Sequence, residues 1–252
     1  MSKGKIIVLA SGGKGGVGKS VAAINLAGAL AHRGNKTALV DTDMGDEAQG
    51  NPGVRSVTKF CAARDNLIEQ GEDLKPISLY QFLPNQKIQN QLSDIALSHD
   101  YVVVDTPGAA TTALRSTIPV ADVIYLPMNC TLDEFIPLGP IFELARGVEE
   151  QMEVLGVNRK IDLRILPYRV DPKWKLDRAE VYGWHKNIFG DIASFSSLTI
   201  PYAKAFSETA SFGLTLHDKK NKYRASFDLM IDEIHGERSV RIPRNLEENE
   251  VA

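Results

Sequence analysis

The chain is poor in cysteine, has no long apolar run and carries no large excess of charge of either sign. Its 252 residues include two cysteines, Cys61 and Cys130, which lie far apart and form no Cys-x-x-Cys pair. This scarcity argues against a disulfide framework or a cysteine-ligated zinc cluster and favours a reducing cytosol. No apolar stretch approaches the roughly 20 residues of a membrane-spanning helix. The sequence therefore predicts a cytoplasmic protein that has no membrane segment.

The charges are nearly balanced, with 29 Lys and Arg against 32 Asp and Glu and a formal net charge of −3. A chain that is not basic overall needs a local basic patch for any contact with nucleic acid. Hydrophobic residues make up 43% of the chain, which is typical of a globular protein with a sizeable core. We expect one domain over residues 1–236 and a polar, flexible tail over residues 237–252.

Short apolar runs alternate along the chain with segments of helical periodicity. Strands are predicted at 5–10, 36–40, 101–104, 122–127, 161–166 and 198–200. Helices are predicted at 20–32, 86–98, 133–153, 175–188, 203–211 and 219–235. The stretch 45–73 is poorly periodic and is predicted to form loops or irregular helices. This alternation predicts an α/β fold, a doubly wound and mostly parallel sheet with helices on both faces.

A glycine-rich segment lies between the first predicted strand and the first predicted helix. Residues 12–20 read GGKGGVGKS, and the complete pattern G-x-x-x-x-G-K-S begins at Gly13. Backbone N–H groups of such a loop turn inward around a phosphate, and the following helix adds the positive end of its dipole. Lys19 would neutralise β- and γ-phosphate oxygens, and the hydroxyl of Ser20 would hold Mg²⁺. The nucleotide-binding residues predicted here are Gly13, Lys14, Gly15, Gly16, Val17, Gly18, Lys19, Ser20 and Val21.

Carboxylates follow two of the predicted strands. Asp41 and Asp43 come at the end of the second strand, and Asp105-Thr106-Pro107-Gly108 follows the third and looks like a Walker B box. A parallel sheet binds its ligands at the carboxyl ends of its strands. We therefore expect these carboxylates to face the phosphate loop.

The string K-G-G-V-G-K-S at residues 14–20 resembles the deviant Walker A box of the ParA/MinD family of ATPases. The resemblance implies a P-loop NTPase fold, with ATP as the nucleotide and Mg²⁺ as the cofactor. It implies that Lys14 reaches across a nucleotide-sandwich dimer to the partner's phosphates, as an arginine finger would. It also implies that Asp43 orients the attacking water. The expected catalytic residues are thus Lys14, Lys19 and Asp43.

The same resemblance implies a metal site formed by Ser20, Asp41 and Asp105, in which Asp41 lies near the metal and Asp105 holds it through water. It covers most of residues 5–235 and implies adenine-side contacts from Arg169, Pro201 and Tyr202. Two departures stand out: Met44-Gly45 follows Asp43 where the family usually has Pro-Gln, and Val21 replaces a common hydroxyl residue. Within the family, the likeness is to small plasmid-partition ParA proteins that lack an N-terminal DNA-binding domain.

Basic side chains are concentrated in two places, residues 159–178 and 219–224. The candidate DNA-binding residues are Arg169, Lys173, Lys175, Lys219, Lys220, Lys222 and Arg224. Such patches would engage phosphates without reading sequence. The same charges would equally suit solvated helix faces.

The resemblance implies a slow ATPase that forms a homodimer around ATP, binds DNA non-specifically and associates with the nucleoid in the ATP-bound state. A centromere-binding adaptor protein would stimulate hydrolysis and so move plasmid DNA. We expect no membrane partner, because residues 243–250 are acidic and polar, a composition that argues against an amphipathic membrane anchor. Two alternatives remain: a ParA-like positioning or transfer ATPase for another cargo, and a nucleotide-gated switch that binds a protein and ignores DNA.

Overall fold

The computed structural model describes residues 3–12, 16–44, 55–108, 110–170, 183, 186–187 and 192–238. The strands in these residues are β1 (Lys5–Leu9), β2 (Thr37–Asp41), β3 (Ser78–Gln81), β4 (Tyr101–Asp105), β5 (Val123–Met128), β6 (Leu163–Val170), β7 (Ser194–Phe195) and β8 (Ile200–Pro201). The helices are α1 (Lys19–His32), α2 (Ser56–Glu69), α3 (Gln89–Ser98), α4 (Thr112–Thr117), α5 (Leu132–Phe135), α6 (Gly139–Val154), α7 (Ala205–Ser211) and α8 (Arg224–Ile234). Short 3₁₀ turns follow α4 and α5, at Ile118–Val120 and Ile136–Leu138.

The strands form one sheet in the order β3-β2-β4-β1-β5-β6-β7, and β8 pairs with β6. Every strand pairing made by the described residues is parallel. The central strand, β1, has β4 on one side and β5 on the other, so the chain winds outward in both directions from the middle. The predicted doubly wound parallel sheet is confirmed.

Two hydrophobic cores lie on opposite faces of the sheet because successive side chains of a strand point to opposite sides. Ile7 and Leu9 belong to the core that includes apolar residues of α1, α2 and α8. Ile6 and Val8 belong to the core that includes residues of α3, α4 and α6. Strands buried on both faces read as continuous apolar runs, which is why β1 and β4 were readily predicted.

The sequence prediction was wrong for the region before β3. Residues 56–69 form a regular helix, α2, where loops or irregular helices were expected. Its buried side chains are Val57, Phe60, Cys61 and Arg64, so a narrow apolar stripe at helical spacing ends on a buried arginine. An arginine on the buried face interrupts the apolar period that would have indicated a helix. The residue that compensates its charge is distant in sequence.

Several other boundaries differ from prediction. The edge strand β3 and the short elements α4 and β7 were not predicted, and β6 begins and ends later than the predicted 161–166. Most of the predicted helix 175–188, together with residues 239–252 of the predicted tail, lies outside the described residues. Among the helices that the structure describes, none is both long and apolar enough to cross a membrane.

Candidate nucleotide-binding site

The glycine-rich segment joins β1 to α1 at the carboxyl edge of the sheet. Gly16 and Gly18 have φ angles of 84° and 93°, a left-handed conformation that side chains with a Cβ rarely adopt. A Cβ on Gly18 would also lie 2.6 Å from Cε1 of Tyr168, which packs from the end of β6. Glycine at position 18 is therefore required twice, by the backbone and by the neighbouring side chain. Gly13, Lys14 and Gly15 lie outside the described residues.

Lys19 and Ser20 form the first turn of α1, directly after Gly18. No side chain in the described part of the chain caps this helix, so its first N–H groups are available to an anion. Lys19 is only 7% exposed. Burial lowers the pKa of Lys19, and the charges of Asp105 and Asp43 oppose that effect. A buried cation at a helix N-terminus beside carboxylates is suited to a phosphate accompanied by a metal ion.

Asp41 and Asp105 lie opposite each other in the β2–β4 register, and Leu9 of β1 is level with Asp105. The hydroxyl of Thr42 donates to the carbonyl oxygen of Asp105 at 2.9 Å, and the N–H of Thr42 donates to the same oxygen at 3.1 Å. The hydroxyl of Thr106 donates to the carbonyl oxygen of Leu9 at 2.8 Å. These bonds fix three strand ends at one level, next to the phosphate loop.

The Asp105 side chain is fully buried. Burial raises the pKa of Asp105 to about 7, with a further rise from the charges of Asp41 and Asp43; a hydrogen bond from Ser20 and the charge of Lys19 act in the opposite direction. Its Oδ1 atom is buried and has no hydrogen-bond partner among the described residues. An unsatisfied carboxylate oxygen is costly unless a ligand completes it.

The donor set fits a magnesium ion. The orphaned Oδ1 of Asp105 and the hydroxyl of Ser20 are hard oxygen ligands, which Mg²⁺ prefers. A complete cage of three or more His, Cys, Asp or Glu side chains is not found in the described ranges. Mg²⁺ commonly takes one or two protein oxygens and completes its shell with phosphate and water. The site thus has the chemistry of a metal–nucleotide site rather than that of a stand-alone metal centre.

Asp43 follows β2 and is half-buried. Its N–H donates to Oδ1 of Asp41 at 3.0 Å. Burial raises the pKa of Asp43, an effect that Lys19 opposes and Asp41 reinforces. The structure thus brings Lys19, Asp41, Asp43 and Asp105 together, as the sequence led us to expect.

Two of the three predicted adenine-side residues, Arg169 and Tyr202, line two cavities beside the phosphate loop. The Arg169 guanidinium donates to the carbonyl oxygen of Gly16, and its Cζ lies 5.2 Å from the ring centre of Tyr202. A cavity of about 310 Å³ is lined by Gly16 and Val17 together with Arg169 and Tyr202. A second cavity, of about 100 Å³, adjoins Gly18 and Val21. Pro201 lies in β8, opposite Val170 of β6.

Sequence reasoning missed two further lining residues of the larger of these cavities. They are Asn129, which follows β5, and Glu134, whose Oε2 accepts a hydrogen bond from the N–H of Asn129. The Oδ1 atom of Asn129 is buried and has no partner in the described part of the molecule. The rule that found Asp41 and Asp105, polar residues at the carboxyl ends of parallel strands, would also have found Asn129.

A larger cavity, of about 730 Å³, lies at the opposite edge of the sheet, near the start of β6 and the end of α6. Its charged lining is mostly acidic, because four carboxylates face it against two basic side chains: Glu149, Glu150, Glu153 and Asp162 against Arg146 and Lys160. Carboxylates repel a phosphate, so this cavity is unsuited to a nucleotide.

The predicted DNA-binding residues that the structure describes lie in two separate places. Lys219, Lys220, Lys222 and Arg224 are all exposed and lie just before and at the start of α8, Arg169 lies at the phosphate loop, and Lys173 and Lys175 are outside the described residues. Asp218, the acidic neighbour of the exposed group, is buried against Arg64, with Nη1 to Oδ2 at 2.8 Å. Its charge is therefore already compensated from α2. We call Lys219, Lys220, Lys222 and Arg224 the basic cluster.

Comparison with known proteins identifies a family and relatives that match the greater part of the chain. The family model described as the CobQ/CobB/MinD/ParA nucleotide binding domain matches residues 8–247. The chromosome partitioning protein ParA of Myxococcus xanthus is 26% identical over 247 residues, covering 87% of this chain and 83% of that protein. The sporulation initiation inhibitor protein Soj of Bacillus subtilis is 22% identical over 172 residues, covering 59% of this chain and 68% of Soj.

Solved structures share the fold at low identity. A Cyanothece McdA(D38A)–ATP complex superposes with a TM-score of 0.64 at 17% identity, covering 96% of this chain and 100% of that one. A plasmid partition protein from Borrelia burgdorferi gives a TM-score of 0.56 at 20% identity, covering 94% and 100%. A chain of the MinC:MinD cell division protein complex of Aquifex aeolicus gives a TM-score of 0.60 at 18% identity, covering 95% and 98%. At these identities the likeness establishes the architecture.

Proposed function

Since the chain belongs to the CobQ/CobB/MinD/ParA family of nucleotide-binding domains, we propose that it is a Mg-ATP-dependent ATPase of the ParA type. One observation carries this proposal. The buried cation of Lys19 lies at an uncapped helix N-terminus, opposite the buried Asp105 carboxylate with its unsatisfied oxygen. Phosphates would satisfy the lysine and the helix, and a metal ion would satisfy the carboxylate.

In this proposal, Lys19 and the first N–H groups of α1 bind the β- and γ-phosphates. Ser20 directly and Asp105 through water would hold Mg²⁺, with Asp41 nearby, and the ion would supply positive charge that neutralises the phosphate oxygens. Asp43 orients a water that attacks the γ-phosphorus, so that ADP leaves and inorganic phosphate forms. Asp43 suits this role because its backbone is fixed by Asp41 while its carboxylate is only half-buried.

The adenine base binds on the side of Arg169, Pro201 and Tyr202. Arg169 lies over the ring of Tyr202 and contacts the phosphate loop, so one side chain connects the two parts of the nucleotide site. Lys14 acts in trans: it reaches the phosphates of a second copy, so that the dimer forms around two ATP molecules. A cation supplied by the partner stabilises charge at the transferring phosphoryl group.

The ATP-bound dimer binds DNA non-specifically, associates with the nucleoid and segregates plasmid DNA when a centromere-binding adaptor stimulates hydrolysis. Support comes from the exposed basic cluster and from the likeness to partition proteins. Packing also relates the cluster to the nucleotide site. The ring of Tyr223, which lies between Lys222 and Arg224 of the cluster, is 5.4 Å from the ring of Phe206. Phe206 in turn stacks at 6.3 Å on Tyr168, beside Gly18.

The test is a binding titration on random-sequence duplex DNA at low salt, with and without ATP, using Asp43→Ala to prevent hydrolysis. We expect binding only with ATP, since dimerisation doubles the number of cations facing one duplex. An ATP-bound dimer that has no affinity for this DNA would contradict partition. That result would favour the nucleotide-gated switch, whose partner is a protein.

A further inference from the structure

The carboxylate of Asp41 joins two elements that are distant in sequence. It is fully buried at the end of β2, and its Oδ2 accepts hydrogen bonds from Thr58 of α2. The Thr58 N–H donates at 3.1 Å and the Thr58 hydroxyl at 2.7 Å. Thr58 is the third residue of α2, and the residue that precedes the helix, Arg55, provides no side-chain cap. Asp41 thus caps the N-terminus of α2 from the end of β2, a role that the residue directly before a helix normally fills.

The second oxygen of the same carboxylate holds Asp43. Oδ1 of Asp41 accepts the Asp43 N–H at 3.0 Å, while Oδ2 is held by Thr58. Gln81 of β3 completes the arrangement, because its Nε2 donates to the Thr58 hydroxyl oxygen at 2.9 Å. The hydroxyl proton has two acceptors within reach, Asp41 Oδ2 at 2.7 Å and the Sδ atom of Met44 at 3.5 Å, and the nearer, charged carboxylate is the stronger acceptor. A chain of three hydrogen bonds therefore runs from β3 through α2 to the backbone of Asp43.

We propose that Thr58 is a positioning residue for ATP hydrolysis, acting through Asp41 on Asp43. Its hydroxyl makes a charge-assisted bond that fixes the orientation of the Asp41 carboxylate, which would otherwise turn away from the neighbouring charges of Asp43 and Asp105. A fixed Asp41 holds the Asp43 backbone, and the backbone sets the direction in which the Asp43 side chain meets the attacking water. In this role Thr58 acts only through Asp41. This role rests on the proposed ATPase function.

The test compares Thr58→Val with Thr58→Ser. Valine keeps the shape and the backbone N–H but removes the hydroxyl, whereas serine restores it. We expect Thr58→Val to lower kcat roughly tenfold, the effect of losing about one charge-assisted hydrogen bond. The Kd for ATP, measured with a fluorescent ATP analogue, should change less than twofold because Lys19 and the loop are untouched. Thr58→Ser should recover at least half of the lost rate.

A Gln81→Ala variant tests whether any loss of kcat in Thr58→Val comes from destabilising α2. Gln81 is exposed and lies outside α2, so its loss frees the Thr58 hydroxyl to rotate without removing a cap. We expect a two- to threefold lower kcat, with thermal unfolding unchanged. Wild-type kcat in both Thr58→Val and Gln81→Ala, or equal loss of kcat in Thr58→Val and Thr58→Ser, would overturn the role of Thr58. ATP binding without turnover in the wild-type protein would instead contradict the proposed function.

Discussion

Asp41 and Asp105 face the same edge of the sheet from neighbouring strands, level with each other across the β2–β4 ladder. Both are fully buried, and Lys19 is the buried cation that attracts Asp105. Without a ligand, this arrangement concentrates negative charge where little water can screen it.

Lys19→Ala should abolish nucleotide binding, because no other described side chain of the loop brings a buried positive charge to the β- and γ-phosphates. We expect ATP affinity to fall at least about 100-fold, on the scale of losing a desolvated charge–charge contact. Isothermal titration calorimetry with Mg-ATP measures this directly. Lys36→Ala, which removes an exposed lysine elsewhere, is the matched control and should bind normally. Equal affinities for Lys19→Ala and wild type would contradict the phosphate-loop assignment.

Asp105→Asn should stabilise the ligand-free protein, and the gain should grow with pH. The pKa of Asp105 is raised to about 7 in the folded state from an ordinary value of 3.8. Between these two values the folded state binds a proton that the unfolded state has released, so wild-type stability falls as pH rises to about 7 and then levels off. Three pKa units correspond to a loss on the order of 4 kcal/mol. Asparagine cannot ionise and avoids this loss.

Urea unfolding at pH 5 and pH 8, in the presence of a chelator, measures the effect. The difference between Asp105→Asn and wild type should be clearly larger at pH 8. Asp94→Asn, which changes an exposed carboxylate on α3 by the same charge, should show no such trend. Should Asp105→Asn be less stable than wild type at pH 8, the buried carboxylate would have to be satisfied by the protein itself.

Lys14→Gln separates nucleotide binding from dimerisation. If Lys14 acts on the nucleotide of the partner, the variant should bind ATP in its own loop and yet remain monomeric. Light scattering with ATP in an Asp43→Ala background should give dimers, and the Lys14→Gln, Asp43→Ala double variant should give monomers. Normal ATP-dependent dimers of the double variant would indicate a simpler enzyme that works entirely in cis.

Neutralising the basic cluster should weaken DNA binding without affecting dimerisation. Contacts to phosphates release counterions, so affinity should fall steeply with salt and vary little with DNA sequence. Changing Lys219, Lys220, Lys222 and Arg224 to glutamine should lower the affinity and flatten the salt slope. The control changes the same number of exposed basic side chains elsewhere, all of them lysines: Lys3, Lys36, Lys75 and Lys87. A second set, Arg169, Lys173 and Lys175, tests the other candidate patch.

If the control set weakens DNA binding as much as the cluster does, overall charge and not a defined surface is responsible. Loss of ATP-driven dimers in the cluster variant would point to a structural role for these side chains. The titration measures DNA affinity, and light scattering on the same samples measures dimerisation, so one experiment distinguishes the two outcomes.

The sequence by itself determined the phosphate loop, the central strands and the carboxylates at their ends. The glycine-rich pattern specifies a local strand–loop–helix geometry, and the chemistry of the loop depends on that geometry. The residues concerned lie close together in the chain: Gly16, Gly18, Lys19 and Ser20. Continuous apolar runs identified β1 and β4 because both of their faces are buried. The family match confirms the resemblance inferred from the loop. These features are readable because the interactions that define them are close in sequence.

Only the tertiary structure decided the supports of the site. Thr58 meets Asp41 across 17 positions of sequence, and Arg64 meets Asp218 across 154. The sequence around Thr58 and Arg64 does not indicate which residues they contact. A threonine in a first helical turn and an arginine in a helix are ordinary surface residues. Burial gives these contacts their importance, because a desolvated carboxylate or guanidinium must find its partner wherever the fold places one. For Asp218, hydrogen bonds from Arg64 and His32 outweigh the cost of burial and lower the pKa of its carboxyl group.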